Sequence, residues 1–243
     1  MTSEESLAVL VRVDIEREAP DDSRIGTADT LMRLCKAAVR VLPASGAAVS
    51  LITDVGPAGI IASSSSWAAT AEELQFTLGE SPGWDAFEAR VPVSAPDLAA
   101  VDEIRWPGYA ASALEHGVGS VFAFPLLSGT SRMGVLDIYR DESSSLSEES
   151  LAYARACCSV ATAELLDGQE EAGSGSIPLG FDGALDSQFA IHQAQGMVMV
   201  QLGVNLSESM SRMRAHAYAN DLALGQVARN VVGRTLDLSG DQR

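Results

Sequence analysis

The sequence predicts an α+β N-terminal domain, an antiparallel sheet covered by helices, followed by a C-terminal all-α three-helix bundle. Three observations carry this. β-rich apolar runs fall in pairs joined by Gly-containing turns within the first two thirds of the chain. Segments with apolar residues at helical spacing flank these pairs, and alone fill the last quarter. Between the two parts lies GQEEAGSGSIPLG, Gly168 to Gly180, whose Gly, Ser and Pro read as a flexible linker. The expected boundaries are an N-terminal extension over 1–26, a first domain over 27–167, a linker over 168–181 and a second domain over 182–238.

The elements follow in order. LAVLVRVDIE, near the start, reads equally as a strand or as one side of a helix. From Thr27, Leu31, Leu34, Ala38, Val41 and Leu42 keep helical spacing until Pro43 stops the helix. AAVSLIT (47–53) and GIIASSS (59–65) form an antiparallel strand pair around the turn VGPAG. WAATAEELQF is a helix, GESPGWDAFEAR a turn and a short helix, and Gly108 to His116 a further helix. GVGSVFAFPL and MGVLDIYR are two apolar strands turning near Gly129. A long closing helix follows, with Ser147 as N-cap and Glu148 and Glu149 in its first turn.

Past the linker, the first helix of the bundle runs from about Gly183 to Leu202 and stops at Gly203. The second starts at Asn205, which has capping-box spacing to Glu208, and buries Met210, Met213 and Ala217. The third places Leu224, Val227, Ala228, Val231 and Val232 on an apolar stripe. Gln226, Arg229, Asn230 and Arg234 follow the same spacing offset by two, about 200° around the helix.

Composition bounds the function. Of 243 residues, 47% are apolar and 20% charged, enough to bury a core and too apolar for a wholly disordered chain. No apolar run approaches the length of a bilayer span, and the N-terminus starts acidic, unlike a signal peptide, so the expectation is a cytoplasmic protein without membrane contact. Three cysteines, Cys35, Cys157 and Cys158, make neither a disulfide framework nor a zinc site. No metal, cofactor or catalytic motif is expected, and His116, His192 and His216 are scattered. The net charge of −17 argues against a nucleic-acid partner until it is divided. Residues 1–180 hold 11 Arg and Lys against 27 Asp and Glu, whereas 181–243 hold 5 Arg against 6 acids. No acid lies between Ala223 and Leu236. Arginines and amides free of nearby carboxylates suit phosphates and base edges, although any soluble helix also needs a polar side. On the second helix Arg212 and His216 are an i, i+4 pair with Arg214 nearby, a further candidate contact set.

The runs LGESPGWDAFEARVPVSAPDL, RWPGYAASALEHGVGSVFAFPL and MGVLDIYR resemble a GAF domain of the actinobacterial kind over about residues 47–166. The resemblance implies a small-molecule or cofactor sensing module with a pocket between the sheet and its helices. Trp84, Trp106, Tyr109, Phe122 and Phe124 are the aromatic candidates for that pocket; plain core packing is the other reading, favoured for the two Phe residues. Related sequences often carry Gly-Pro-Cys before the Trp, whereas Gly83 follows Pro82 here, so cysteine chemistry at that position is absent. Some GAF-fold proteins reduce oxidised methionine through cysteines, but Cys35, Cys157 and Cys158 fall inside predicted helices.

FAIHQAQGMVMVQLGVNLSESMSRMRAHAYA with LGQVARNVVGRTL resembles an ANTAR domain, in particular at Ala194-Gln195-Gly196-x-x-Met199 and Val227-Ala228. That resemblance implies a three-helix module of transcription antiterminators, acting as a dimer on paired hairpin loops in nascent RNA. Many members carry Lys where Gln195 stands, and Ala194 and Gly196 read as close-packing positions. Together the two resemblances imply a ligand- or partner-responsive transcription regulator that promotes antitermination and is not an enzyme. DNA binding through the three-helix bundle, or an interaction protein without RNA binding, are the alternatives. The RNA-contact candidates are Gln195, Arg212, Arg214, His216, Gln226, Arg229, Asn230 and Arg234.

Overall fold

A computed structural model describes residues 3–21, 25–53, 56–101, 104–172 and 181–241. The helices are α1 (Ser3–Glu16), α2 (Thr27–Val41), α3 (Ser66–Leu78), α4 (Pro82–Ala89), α5 (Pro107–Glu115), α6 (Glu148–Ala172), α7 (Asp182–Leu202), α8 (Leu206–Ala219) and α9 (Leu224–Val232). The strands are β1 (Gly46–Thr53), β2 (Gly56–Ser63), β3 (Val93–Ala95), β4 (Ser120–Ser128) and β5 (Ser131–Arg140). They form one antiparallel sheet in the order β2-β1-β5-β4-β3.

Strand alternation assigns the two faces. Val49, Phe122, Phe124, Leu126, Leu136 and Ile138 point towards α1, α2 and α6 and make the larger core. Ala48, Val121, Ala123 and Tyr139 point the other way, towards α3, α4 and α5. The ambiguous N-terminal segment is therefore helical: Val11 and Ile15 of α1 are buried in the first core, and the Asp14 carboxylate accepts from the Tyr153 hydroxyl of α6 at 2.9 Å. β3 is an edge strand that the sequence does not announce, because three residues are too few to display alternation.

The helix punctuation is chemical. Ser65 and Ser81 accept from Ala68 N and Trp84 N to cap α3 and α4, Pro82 opens α4, and Gly79 closes α3 at φ 75°, in the left-handed region. Ser147 caps α6, its hydroxyl accepting from Ser150 N at 3.1 Å. Asn205 caps α8 through Glu208 N at 2.9 Å, and Gly203 ends α7 at φ 65°. Two expectations shift. β2 begins at Gly56 rather than Gly59, so four residues of the expected turn VGPAG belong to the strand, and Val55 lies outside the described residues. α6 runs to Ala172, through QEEA, four residues that suit a helix and fall inside the segment read as linker. Residues 173–180 of that segment lie outside the described residues.

Helices α7–α9 pack around Ile191, Ala194, Val198, Met213, Ala217, Leu224, Val227, Ala228 and Val231, which include Met213, Ala217 and most of the α9 stripe that periodicity predicts, while Met210 and Val232 are only partly buried. The bundle rests on the first domain: α7 passes β2, and α8 and α9 touch α3. Ala194 is fully buried, as expected for close packing, but a Cβ on Gly196 would meet nothing within 4 Å, so Gly196 is not a close-packing position.

Candidate functional sites

Beneath α3, α4 and α5 the first domain buries a network of oxygen-rich side chains. Asp137 and Tyr139 come from β5, Ser50 from β1, Glu72 and Gln75 from α3, Ser81 from the α4 cap and Tyr109 from α5, all essentially buried. The Gln75 amide donates to Asp137 Oδ2 at 2.8 Å and to the Tyr139 oxygen at 2.9 Å, and the Tyr139 hydroxyl donates to Glu72 Oε2 at 2.5 Å. The Ser81 hydroxyl donates to Gln75 Oε1. Glu72 Oε1, Asp137 Oδ1 and the Tyr109 hydroxyl have no hydrogen-bond partner of ordinary geometry. Burial pushes the Asp137 carboxyl well above its usual range, and the neighbouring Glu72 charge adds to the shift. Burial likewise raises Glu72, against the hydrogen bonds of Ser50 and Tyr139. Among the described residues no cationic side chain contributes to either shift, so burial and mutual repulsion favour the protonated form of the pair.

The aromatic candidates divide across the sheet. Tyr109 belongs to the network, Trp84 donates its indole N–H to the Gln75 carbonyl at 3.2 Å, and Trp106 packs with Tyr109 and Tyr139. Trp106 has φ 125°, a strained conformation for a large side chain, its indole N–H is unpartnered, and the Arg105 guanidinium lies 4.3 Å from its ring. Phe122 and Phe124 face α2 and α6 instead and are core, away from the network, because adjacent β4 residues alternate faces. At Gly83 a Cβ would stand 2.2 Å from Gln75 Oε1 and 2.8 Å from Asp137 Oδ2, so the absent cysteine side chain leaves room that the network fills. Elsewhere Cys35 and Cys157 are buried, and burial pushes the Cys157 thiol up to about 12 and Cys158 well above its ordinary value, which disfavours the reactive thiolate at both.

The C-terminal candidates fall into separate groups. On α9, Arg229 Nη2 donates to Gln226 Oε1 at 3.1 Å and Gln226 Nε2 donates to Asn230 Oδ1 at 2.9 Å, so the three side chains form one chain on the polar side. Arg234 does not continue that row. The helix ends at Val232, and Arg234, at φ 58°, lies in the reversing turn where Thr235 N and Leu236 N donate to the Asn230 carbonyl. Arg212 pairs with Glu208 at 2.9 Å and lines a shallow cleft with His216. Gln195 donates to the Leu206 carbonyl at 2.8 Å, tying α7 to the start of α8. Arg214 points the opposite way, onto the first domain, where a Cβ on Gly79 would stand 2.3 Å from its guanidinium. Burial lowers the Arg214 pKa, and its Nε has no partner. Glu73 of α3 accepts the Leu224 backbone N–H at the start of α9 within the field of Arg229. The sequence singles out neither Glu73 nor the Glu72–Asp137 pair, since acids in an acidic helix and one Asp in an apolar strand carry no motif.

An antiparallel α+β domain followed by a three-helix bundle defines the class of fold. The GAF domain family matches residues 26–163, more than half of the chain, and the chain belongs to that family. The ANTAR domain matches residues 181–232, making this a sensor-coupled ANTAR regulator. GAF and ANTAR domains are sensory and regulatory modules, and ANTAR domains are RNA-binding antitermination regulators. No curated protein matches the chain. Among solved structures, the GAF domain of the Acinetobacter phosphoenolpyruvate-protein phosphotransferase is similar at 12% identity and TM-score 0.52, over 72% of this chain and 99% of that one. The corresponding GAF domain from Coxiella burnetii is similar at 15% identity and TM-score 0.51, over 70% of this chain and 97% of that one. At these identities the likeness shows the fold alone. Among the described residues no helix is long and apolar enough to cross a membrane, and no group of three or more His, Cys, Asp and Glu is placed to hold a metal.

Proposed function

We propose that this chain is a cytoplasmic, non-enzymatic antitermination regulator that binds paired hairpin loops in nascent RNA as a homodimer, under the control of a small molecule or partner at its GAF domain. The observation that carries the reading is the arginine and amide face of α9, whose own segment holds no acid between Ala223 and Leu236 and matches the ANTAR domain. Hairpin loops present splayed bases and bent backbone, so a modest cationic face suffices when two modules bind together. The polar network under α3–α5, rimmed by Trp84, Trp106 and Tyr109, is the proposed sensing site. On α7, Phe189 and Val200 are 66% and 75% exposed, three turns apart with Gly196 between them, a stripe that supports pairing with a second copy.

Replacing Arg229 of the face and Arg234 of the turn that follows it by Ala tests this surface. RNA affinity should fall about tenfold or more, as for charge-assisted hydrogen bonds to phosphate, and its salt dependence should weaken, with helical content unchanged. Unaltered affinity and salt slope would place the contact surface elsewhere, with Arg212 and His216 as the next candidates.

A further inference from the structure

The two domains enclose a cleft that neither the polar network nor the α9 face accounts for. Its volume is about 550 Å3, in the range of small-molecule sites. The wall from α3 and α5 carries Glu73 and Glu115, the facing wall carries Asp221, and Leu74 and Leu222 add hydrocarbon. Neither Lys nor Arg lines it. Ser112, also on the wall, is 3% exposed and its hydroxyl has no hydrogen-bond partner. The Glu73 carboxyl is pushed up to about 7 by burial, which the Leu224 N–H and Arg229 offset only in part, so a cation at that point would favour its charged form.

We propose that this interdomain cleft is an effector site for a short aliphatic diamine, whose two ammonium ends bridge the carboxylates of the opposed walls. The diamine's hydrocarbon lies against Leu74 and Leu222, and one ammonium donates to Glu73 while the other reaches Asp221. Because each wall belongs to a different domain, the ligand acts as a clamp. It holds α8 against α3 with Arg214 covering Gly79, where an RNA phosphate does not reach it. That last consequence rests on the RNA reading above; binding and clamping do not.

Titration calorimetry on the full chain at physiological salt, with the four-carbon diamine putrescine as probe, tests the site. Saturable one-to-one binding is expected, with butylamine weaker and butanediol silent. Glu73→Gln and Asp221→Asn should each weaken putrescine about tenfold, the factor for a charged hydrogen bond, while Glu148→Gln on α6 should leave it unchanged. Asn tolerates the left-handed backbone of position 221, φ 52°, so the second variant keeps the turn. Non-saturable binding, or equal loss in Glu148→Gln, would reduce the effect to general attraction to an acidic chain and overturn the proposal. Hydrogen exchange reads the clamp: protection around Gly79 and along α8 should rise with putrescine, and binding without that rise would overturn the bridging geometry. Failure of RNA to bind the ligand-free protein would count against the RNA reading and leave these two measurements as they stand.

Discussion

Asp137 and Glu72 lie side by side in the sensor core, both buried and, among the described residues, with no cation to offset them. The physical consequence has a definite sign. A carboxyl whose folded pKa is raised contributes its stability fully below the unfolded value and loses it as pH rises through the folded one. The sensor should therefore soften towards alkaline pH. Asp137→Asn keeps the shape and an acceptor for Gln75 while removing the obligation to carry a proton. It should stabilise the chain at alkaline pH by about 1–3 kcal/mol, the scale for a poorly satisfied buried polar group, with the gain shrinking on acidification. Thermal melts of both proteins between pH 5 and 9 check this; a gain independent of pH would remove ionisation as the cause. These residues illustrate where sequence stops. Trp84, Trp106 and Tyr109 are visible as large aromatics beside Pro and Gly, but a carboxylate pair assembled from α3 and β5, separated by 64 residues, has no local signature.

Helices and strands were far more legible, because periodicity records which face each one buries. The apolar stripe of α9 emerges as the core of the bundle, and Ser147, Asn205 and Gly203 act as caps and stop where their chemistry suggests. What periodicity missed has local causes. A three-residue β3 is too short to show alternation, and extending the α9 spacing to Arg234 ignores the turn that starts after Val232. Strand pairing adds a constraint that no pattern displays. At Gly134 of β5, an added Cβ would lie 2.0 Å from the Ser50 carbonyl oxygen of β1, a backbone atom in the middle of the sheet. Gly134→Ala should thus cost about 1–3 kcal/mol or more, as overpacking does, read by chemical denaturation. A neutral substitution would show that β1 and β5 can separate without penalty.

Over the whole molecule, charge divides the labour. The sensor side carries nearly all of the −17, and the bundle is close to neutral with arginine as its cation. Under the proposed function, this division would repel RNA from most of the surface and direct it to the bundle, provided that its basic face is open. In the docked arrangement that proviso is partly unmet: Arg214 is against Gly79 and Glu73 occupies the start of α9. Domain order and the GAF and ANTAR resemblances were legible in the sequence; the docking was not, since a contact between two distant segments leaves no periodic trace in either.

The central claim is recognition of RNA by the bundle, and a mobility-shift comparison of paired-hairpin RNA, single-hairpin RNA and duplex DNA with the full chain tests it most directly. The account predicts that paired hairpins bind most tightly, that binding falls steeply with salt, and that duplex DNA competes poorly. Equal affinity for DNA and RNA, or binding insensitive to salt, would contradict it.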